Sequence, residues 1–176
     1  MTRTALSGRT AIVVGSDIGV SAAVAYALSR AGAGVVIASR PDPALTALTA
    51  GIVAAGGQAV AVPADVTSRA SMRRLVEQTL GAFGRLDIAV NHLRARELLV
   101  AMTYQLAAMR RTGDGHIVNL ATSVVAQTAV AELTGTAAQD HASSSSIRIN
   151  AIAGAPCGSA EQLADAVVRL CSDDSR

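Results

Sequence analysis

Short runs of β-branched residues alternate with longer alanine-rich stretches from one end of the chain to the other, and no other feature limits its folding as strongly. Runs at residues 11–14, 35–38, 59–62, 87–90, 116–120 and 147–152 read as strands apolar on both faces. The stretches between them, at 20–31, 43–55, 68–83, 97–111, 129–142 and 161–171, carry helical spacing, weakest at 129–142. Gly56-Gly57 stops the second helix and a Ser or Thr cap opens the third. Strands separated by helices, with right-handed crossovers, give an α/β fold: a doubly wound parallel sheet covered on two sides, in three layers. No linker or repeat divides the chain, so residues 1–176 are expected to form one domain.

Composition removes several classes of function. A hydrophobic fraction of 51% and a net charge of +2 exclude a disordered chain. The small, dispersed positive charge excludes a nucleic-acid surface. No apolar run spans a bilayer and residues 1–10 are polar, so neither a membrane span nor a signal peptide is expected. Cys157 and Cys171 have no metal-ligand spacing, which fits a reducing cytoplasm and no metal site. The chain contains no lysine; all 15 basic residues are arginine.

After the first strand comes Gly15-Ser16-Asp17-Ile18-Gly19-Val20-Ser21. Glycines there permit a tight turn and let backbone approach a pyrophosphate at the head of the next helix. An ordinary strand–helix turn would look the same, and Asp17 could as well cap the helix or face outward. The second strand ends in Ser39-Arg40, a hydroxyl and a guanidinium suited to a ribose 2′-phosphate, where an acid would suit a 2′-hydroxyl. NADP is therefore the expected dinucleotide, unless Arg40 is simply a surface residue.

From Leu6-Ser7-Gly8-Arg9-Thr10-Ala11 onward the sequence resembles the short-chain dehydrogenase/reductase family. The family's TGxxxGxG turn maps onto residues 14–21, with Val14 and Ser21 replacing its Thr and third Gly. Pro63-Ala64-Asp65-Val66-Thr67 resembles the segment whose Asp sits at the adenine ring, and Asn91-His92-Leu93-Arg94 stands where the family has NNAG. Gly115-His116-Ile117-Val118-Asn119 resembles the strand leading to the catalytic serine, matched here by Thr122 with Ser123 adjacent, and residues 147–152 resemble the sixth strand. The resemblance implies strand order 3-2-1-4-5-6, with the seventh strand absent. It also implies cofactor contacts at Gly15, Ser16, Gly19, Ser39, Arg40, Asp65, Val66 and Asn91.

The resemblance fails at its chemistry. The family uses a Tyr to move the substrate proton and a Lys four residues on to lower that Tyr's pKa. Without lysine the pair cannot exist, and Tyr26 and Tyr104 both precede the fifth strand. Residues 123–127 stand near the lost Tyr and Lys, Arg94 replaces the NNAG glycine, and Gly154-Ala155-Pro156 replaces a Pro-Gly turn. The chain therefore reads as a truncated, degenerate member, its adenosine half kept and its nicotinamide half eroded. His92, at the C-terminal edge of the fourth strand, is a candidate general acid or a loop histidine without a task. It, Thr122 and Ser123 are the candidate catalytic residues, although no base lies near Thr122 in sequence. His116 reads as structural, Asp140-His141 as a helix end, and Glu97 with Arg94 and Arg96 as a solvated helix start.

The expected function is non-redox: a repurposed biosynthetic enzyme for cyclisation, dehydration or isomerisation, or a binding subunit beside an intact relative. The alternative is an NADP-dependent reductase using His92 or Thr122 as proton donor. A homodimer is expected from the helix at 97–111, which carries apolar residues on more than one face.

Overall fold

The computed structural model describes residues 4–15, 18–141, 146–153 and 159–172. The chain runs β1 (Thr10–Gly15), α1 (Ile18–Arg30), β2 (Gly34–Ser39), α2 (Pro43–Ala54), β3 (Ala59–Pro63) and α3 (Arg69–Phe83). It continues β4 (Ile88–His92), α4 (Ala95–Thr112), β5 (Asp114–Ala121), α5 (Val124–His141), β6 (Ser146–Ala153) and α6 (Ala160–Ser172). Every strand pair is parallel, and the sheet order is β3-β2-β1-β4-β5-β6, as expected. The described residues form six strands.

Alternation of side chains sorts the core into two layers. Ile12, Val14, Val36, Ala89 and Ile117 pack beneath α3, α4 and α5, while Val13, Val35, Ile37, Val90 and Val118 pack beneath α1, α2 and α6. Fully burying one such aliphatic side chain stabilises the fold by about 1.5–3 kcal/mol before chain entropy is charged against it. Helix ends follow their caps. Asp42 and Ser68 accept hydrogen bonds from the N–H groups of Ala44 and Ser71, and Glu97 accepts one from Arg94 at the head of α4. Gly113, at φ 78°, closes α4 in the left-handed region that favours glycine.

One sequence expectation changes. α5 starts at Val124, not near residue 129, because Ser123 caps it: Ser123 Oγ accepts from Ala126 N at 3.2 Å and its carbonyl from Gln127 N at 3.1 Å. α4 packs on the sheet between α3 and α5. Of its large hydrophobic residues only Leu99 stands out, 50% exposed.

The N-terminal edge of the sheet carries a closed polar network. Asp87, 2% exposed, accepts from Thr10 N at 2.8 Å and from the Arg85 guanidinium, and Arg9 reaches Asp114 at 2.9 Å. His116, 4% exposed, meets Asn150 Oδ1 at 2.6 Å, and burial pushes its pKa down. That is the structural role expected of it. Among the described residues, no helix is long and apolar enough to cross a membrane.

Candidate functional site

The site lies at the C-terminal edge of the sheet, where the chain leaves β1, β2, β3, β4 and β5 in one direction. Open parallel sheets bind ligands at this edge, at the point where strand order reverses, here between β1 and β4. Gly15 ends β1 and pairs in register with His92 at the end of β4. A Cβ on Gly15 would run into Ser21 Oγ and lie in contact with His92 Cβ, so a side chain there requires Ser21 to shift. Ser21 Oγ is itself buried and has no hydrogen-bond partner among the described residues. A hydroxyl without a partner beside a glycine turn, in the first turns of α1, is a group that a phosphate oxygen would satisfy. Gly19 is exposed at the start of α1; Ser16 and Asp17 lie outside the described residues.

At the end of β2, Ser39 is 8% exposed and donates its hydroxyl to the Arg40 carbonyl at 2.9 Å, while Arg40 is exposed. Asp65, just past β3, is exposed on the same edge. Its Oδ1 accepts from Thr67 N at 2.9 Å and Thr67 Oγ1 at 2.7 Å. Those two bonds, with a smaller contribution from the nearby Arg40 cation, hold its carboxyl below the usual range. Val66 is half-buried and lines a cleft of about 490 Å³ with Arg69, Arg96 and Leu99.

Asn91, expected as a cofactor contact, has its side chain turned into the core. It is 0% exposed, and its amide is committed to a buried network. Asn91 Nδ2 donates to Gln105 Oε1 at 2.9 Å and Asn119 Oδ1 at 3.0 Å, and Gln105 Nε2 returns a bond to Asn91 Oδ1 at 2.7 Å. Asn119 Nδ2 donates to Thr134 Oγ1 at 3.0 Å, and Thr134 Oγ1 donates to the Val130 carbonyl. β4, α4, β5 and α5 are thus tied together by side chains, because buried amides in apolar strands require partners. Sequence reading missed this network. Its signal was two Asn within apolar strands and a Gln on an otherwise apolar helix face.

The candidate catalytic residues come together more closely than sequence suggested. His92 Nε2 lies 2.7 Å from Thr122 Oγ1, both side chains half-buried. An imidazole that sequence could not place beside Thr122 thus comes to it from the adjacent strand. Ser123 is exposed and occupied in capping α5. Leu93 is buried in the core, whereas Arg94 is exposed at the head of α4. Neither tyrosine reaches this pair's place in the chain: Tyr26 is on α1, and Tyr104 is on α4, packed on the core. Cys171 on α6 has its thiol pushed up to about 12 by burial and offers no thiolate at neutral pH. Cys157 and the turn at Gly154-Ala155-Pro156 lie outside the described residues, as does the side chain of His141. Among the described residues there is no cluster of three metal-ligating side chains.

A family model for short chain dehydrogenases matches residues 9–93. The 2,5-dichloro-2,5-cyclohexadiene-1,4-diol dehydrogenase of Sphingobium indicum is 33% identical over 183 residues, covering 84% of this chain and 72% of that protein. An uncharacterized oxidoreductase of Methylorubrum extorquens is 38% identical over 112 residues, 63% of this chain and 42% of that one. The chain thus spans less than half the length of several curated relatives that it matches. Among solved structures, a metagenomic short-chain oxidoreductase in complex with NADP superposes with a TM-score of 0.85 at 24% identity, covering 96% of this chain and 93% of that one. With β1 to β4 matched as a unit and the S. indicum enzyme aligned along most of both chains, this protein belongs to the short-chain dehydrogenase/reductase family.

Proposed function

We propose that the chain is a nucleotide-binding member of the family that does not carry out its Tyr–Lys hydride-transfer chemistry. It would serve as a repurposed non-redox enzyme or as a subunit beside an intact relative. The observation that carries the nucleotide part is the exposed Arg40 at the end of β2, near Asp65 at the end of β3, on the same edge as Gly15. In this reading Arg40 pairs with a ribose 2′-phosphate, the glycine turn and the head of α1 face the pyrophosphate, and Asp65 and Val66 flank the adenine. A bound NADP would supply hydride chemistry only with a proton donor set against it. The family's donor is not encoded here: the 176 residues contain no lysine, and α5 begins at Val124 where the Tyr–Lys segment would stand. The fit is therefore good for the adenosine half and poor for the nicotinamide half.

Calorimetry tests this directly. Adenosine 2′,5′-bisphosphate should bind about as well as NADP, and Arg40→Ala should weaken both alike. NADP binding orders of magnitude more tightly than the bisphosphate would show a working nicotinamide site and sink the redox-silent reading. A second reading, an NADP-dependent reductase with His92 or Thr122 as proton donor, is favoured by the hydrogen bond between them. Steady NADPH consumption against a panel of carbonyl compounds would establish it.

A further inference from the structure

We propose that His92 and Thr122 form a base–nucleophile pair that accepts an acyl group from an activated ester. The idea goes beyond the nucleotide reading and does not depend on it. Neighbouring parallel strands in register, Asn91 opposite Asn119, deliver the two side chains to one edge, and Nε2 and Oγ1 meet at 2.7 Å. With Nε2 unprotonated, the hydroxyl donates to it. That is the geometry in which an imidazole takes the proton as the oxygen attacks. Both side chains are half-buried, so the pair is partly desolvated yet open to a ligand from the edge.

The surroundings supply the other requirement of acyl transfer, donors for the developing oxyanion. Thr122 is followed at once by Ser123 and the 18-residue helix α5. Ala126 and Gln127 N–H groups are taken by Ser123. The N–H groups in the first turn of a helix have no intrahelical acceptor, and the helix dipole adds positive potential there. Ser123 is committed to capping α5 through its hydroxyl, so Thr122 is the nucleophile of the two.

The step balances without any redox partner. Thr122 Oγ1 attacks the ester carbon while its proton passes to His92 Nε2. The tetrahedral adduct expels the alcohol, which leaves with that proton, and an acyl-threonine remains. A water molecule, deprotonated by His92, then attacks the acyl carbon. The proton returns to Thr122 as the ester bond breaks and a carboxylic acid departs.

The test uses the whole chain and p-nitrophenyl acetate as probe, following nitrophenolate release and mapping the acetyl group by peptide mass spectrometry. The expected result is an acetyl adduct on Thr122 in the wild-type chain, retained by Thr122→Ser and lost in Thr122→Val. His92→Asn should slow acylation by roughly 100-fold or more, as expected on losing a general base. The rate should rise with pH as the imidazole loses its proton. No adduct, an adduct on His92 or elsewhere, or a rate unchanged in Thr122→Val would overturn the proposal. Because the adduct is mapped on wild-type protein, that measurement is decisive whether or not the variants fold. Thr122 acetylation in a chain that binds no nucleotide would sink the nucleotide reading and leave this one standing.

Discussion

From β1 to β3 the C-terminal edge of the sheet is furnished by residues just beyond their strands: Arg40 and Asp65 are exposed, and Asp65 is held by its neighbour Thr67. From β4 to β5 the same edge is built from neighbouring strand ends that hold each other, His92 against Thr122, above amides buried from solvent. The family match, residues 9–93, covers the first region and reaches only β4 of the second. Recognition of a nucleotide can survive as a set of separate surface contacts. Proton transfer needs side chains placed against one another, and in the second region the chain has placed a different pair.

The comparison can be broken most severely on the β4–β5 side. Asn91→Leu strands the Gln105 amide and the Asn119 carbonyl oxygen in the core, at about 1–3 kcal/mol for each unsatisfied group. Urea denaturation should show a loss on the order of 3 kcal/mol. The folded protein should keep its affinity for adenosine 2′,5′-bisphosphate. Arg40→Ala should do the reverse. Loss of a charge-assisted phosphate contact costs about 1.5–3 kcal/mol, or roughly 10- to 150-fold in affinity by calorimetry, while the melting temperature of this exposed-site variant stays put.

A smaller effect separates the glycine turn from both. Gly15→Ala puts a Cβ against Ser21 Oγ, and overpacking of this kind costs about 1–3 kcal/mol. Gly15→Ala with Ser21→Gly should recover most of that loss in thermal melts. If the double variant is no more stable than the single one, backbone geometry and not the Ser21 contact demands glycine. The least effect belongs to the far edge. Burial lowers the His116 pKa, so the unfolded chain binds the proton more readily than the folded one. Stability should therefore be fully present above about pH 6.5, the unfolded value, and decline as pH falls toward the folded pKa. Denaturation midpoints between about pH 5 and 7 should flatten in His116→Asn.

The fold was legible because its signal is periodic and local. Apolar runs of strand length, Gly56-Gly57 after α2 and a capped α3 all sit within a few residues of the boundaries they set. The candidate adenosine-end residues rest on the same kind of local signal, standing at or just past the ends of β1, β2 and β3. What the sequence did not disclose was pairing across distance. Thr122 and His92 stand 30 positions apart, and Asn91 and Gln105 14, so nothing in either neighbourhood announces the partner. The engagement of the Asn91 side chain was hidden for a related reason. A polar residue at a strand's end invites a ligand, and only the α4 side chain across from it shows that its amide is already engaged.

The amide network has a further consequence, for how the sheet is assembled. Strands that are oily on both faces tell each other apart poorly: Ile88-Ala89-Val90 of β4 could sit against Ile117-Val118 of β5 one step up or down at little cost. Asn91 opposite Asn119 removes that freedom, since any slip leaves amides facing hydrocarbon on both strands. Gln105 and Thr134 extend the check to the two helices above. Four side chains thus act as a proofreading device, rejecting mispaired intermediates in an alanine-rich core whose packing alone would tolerate them.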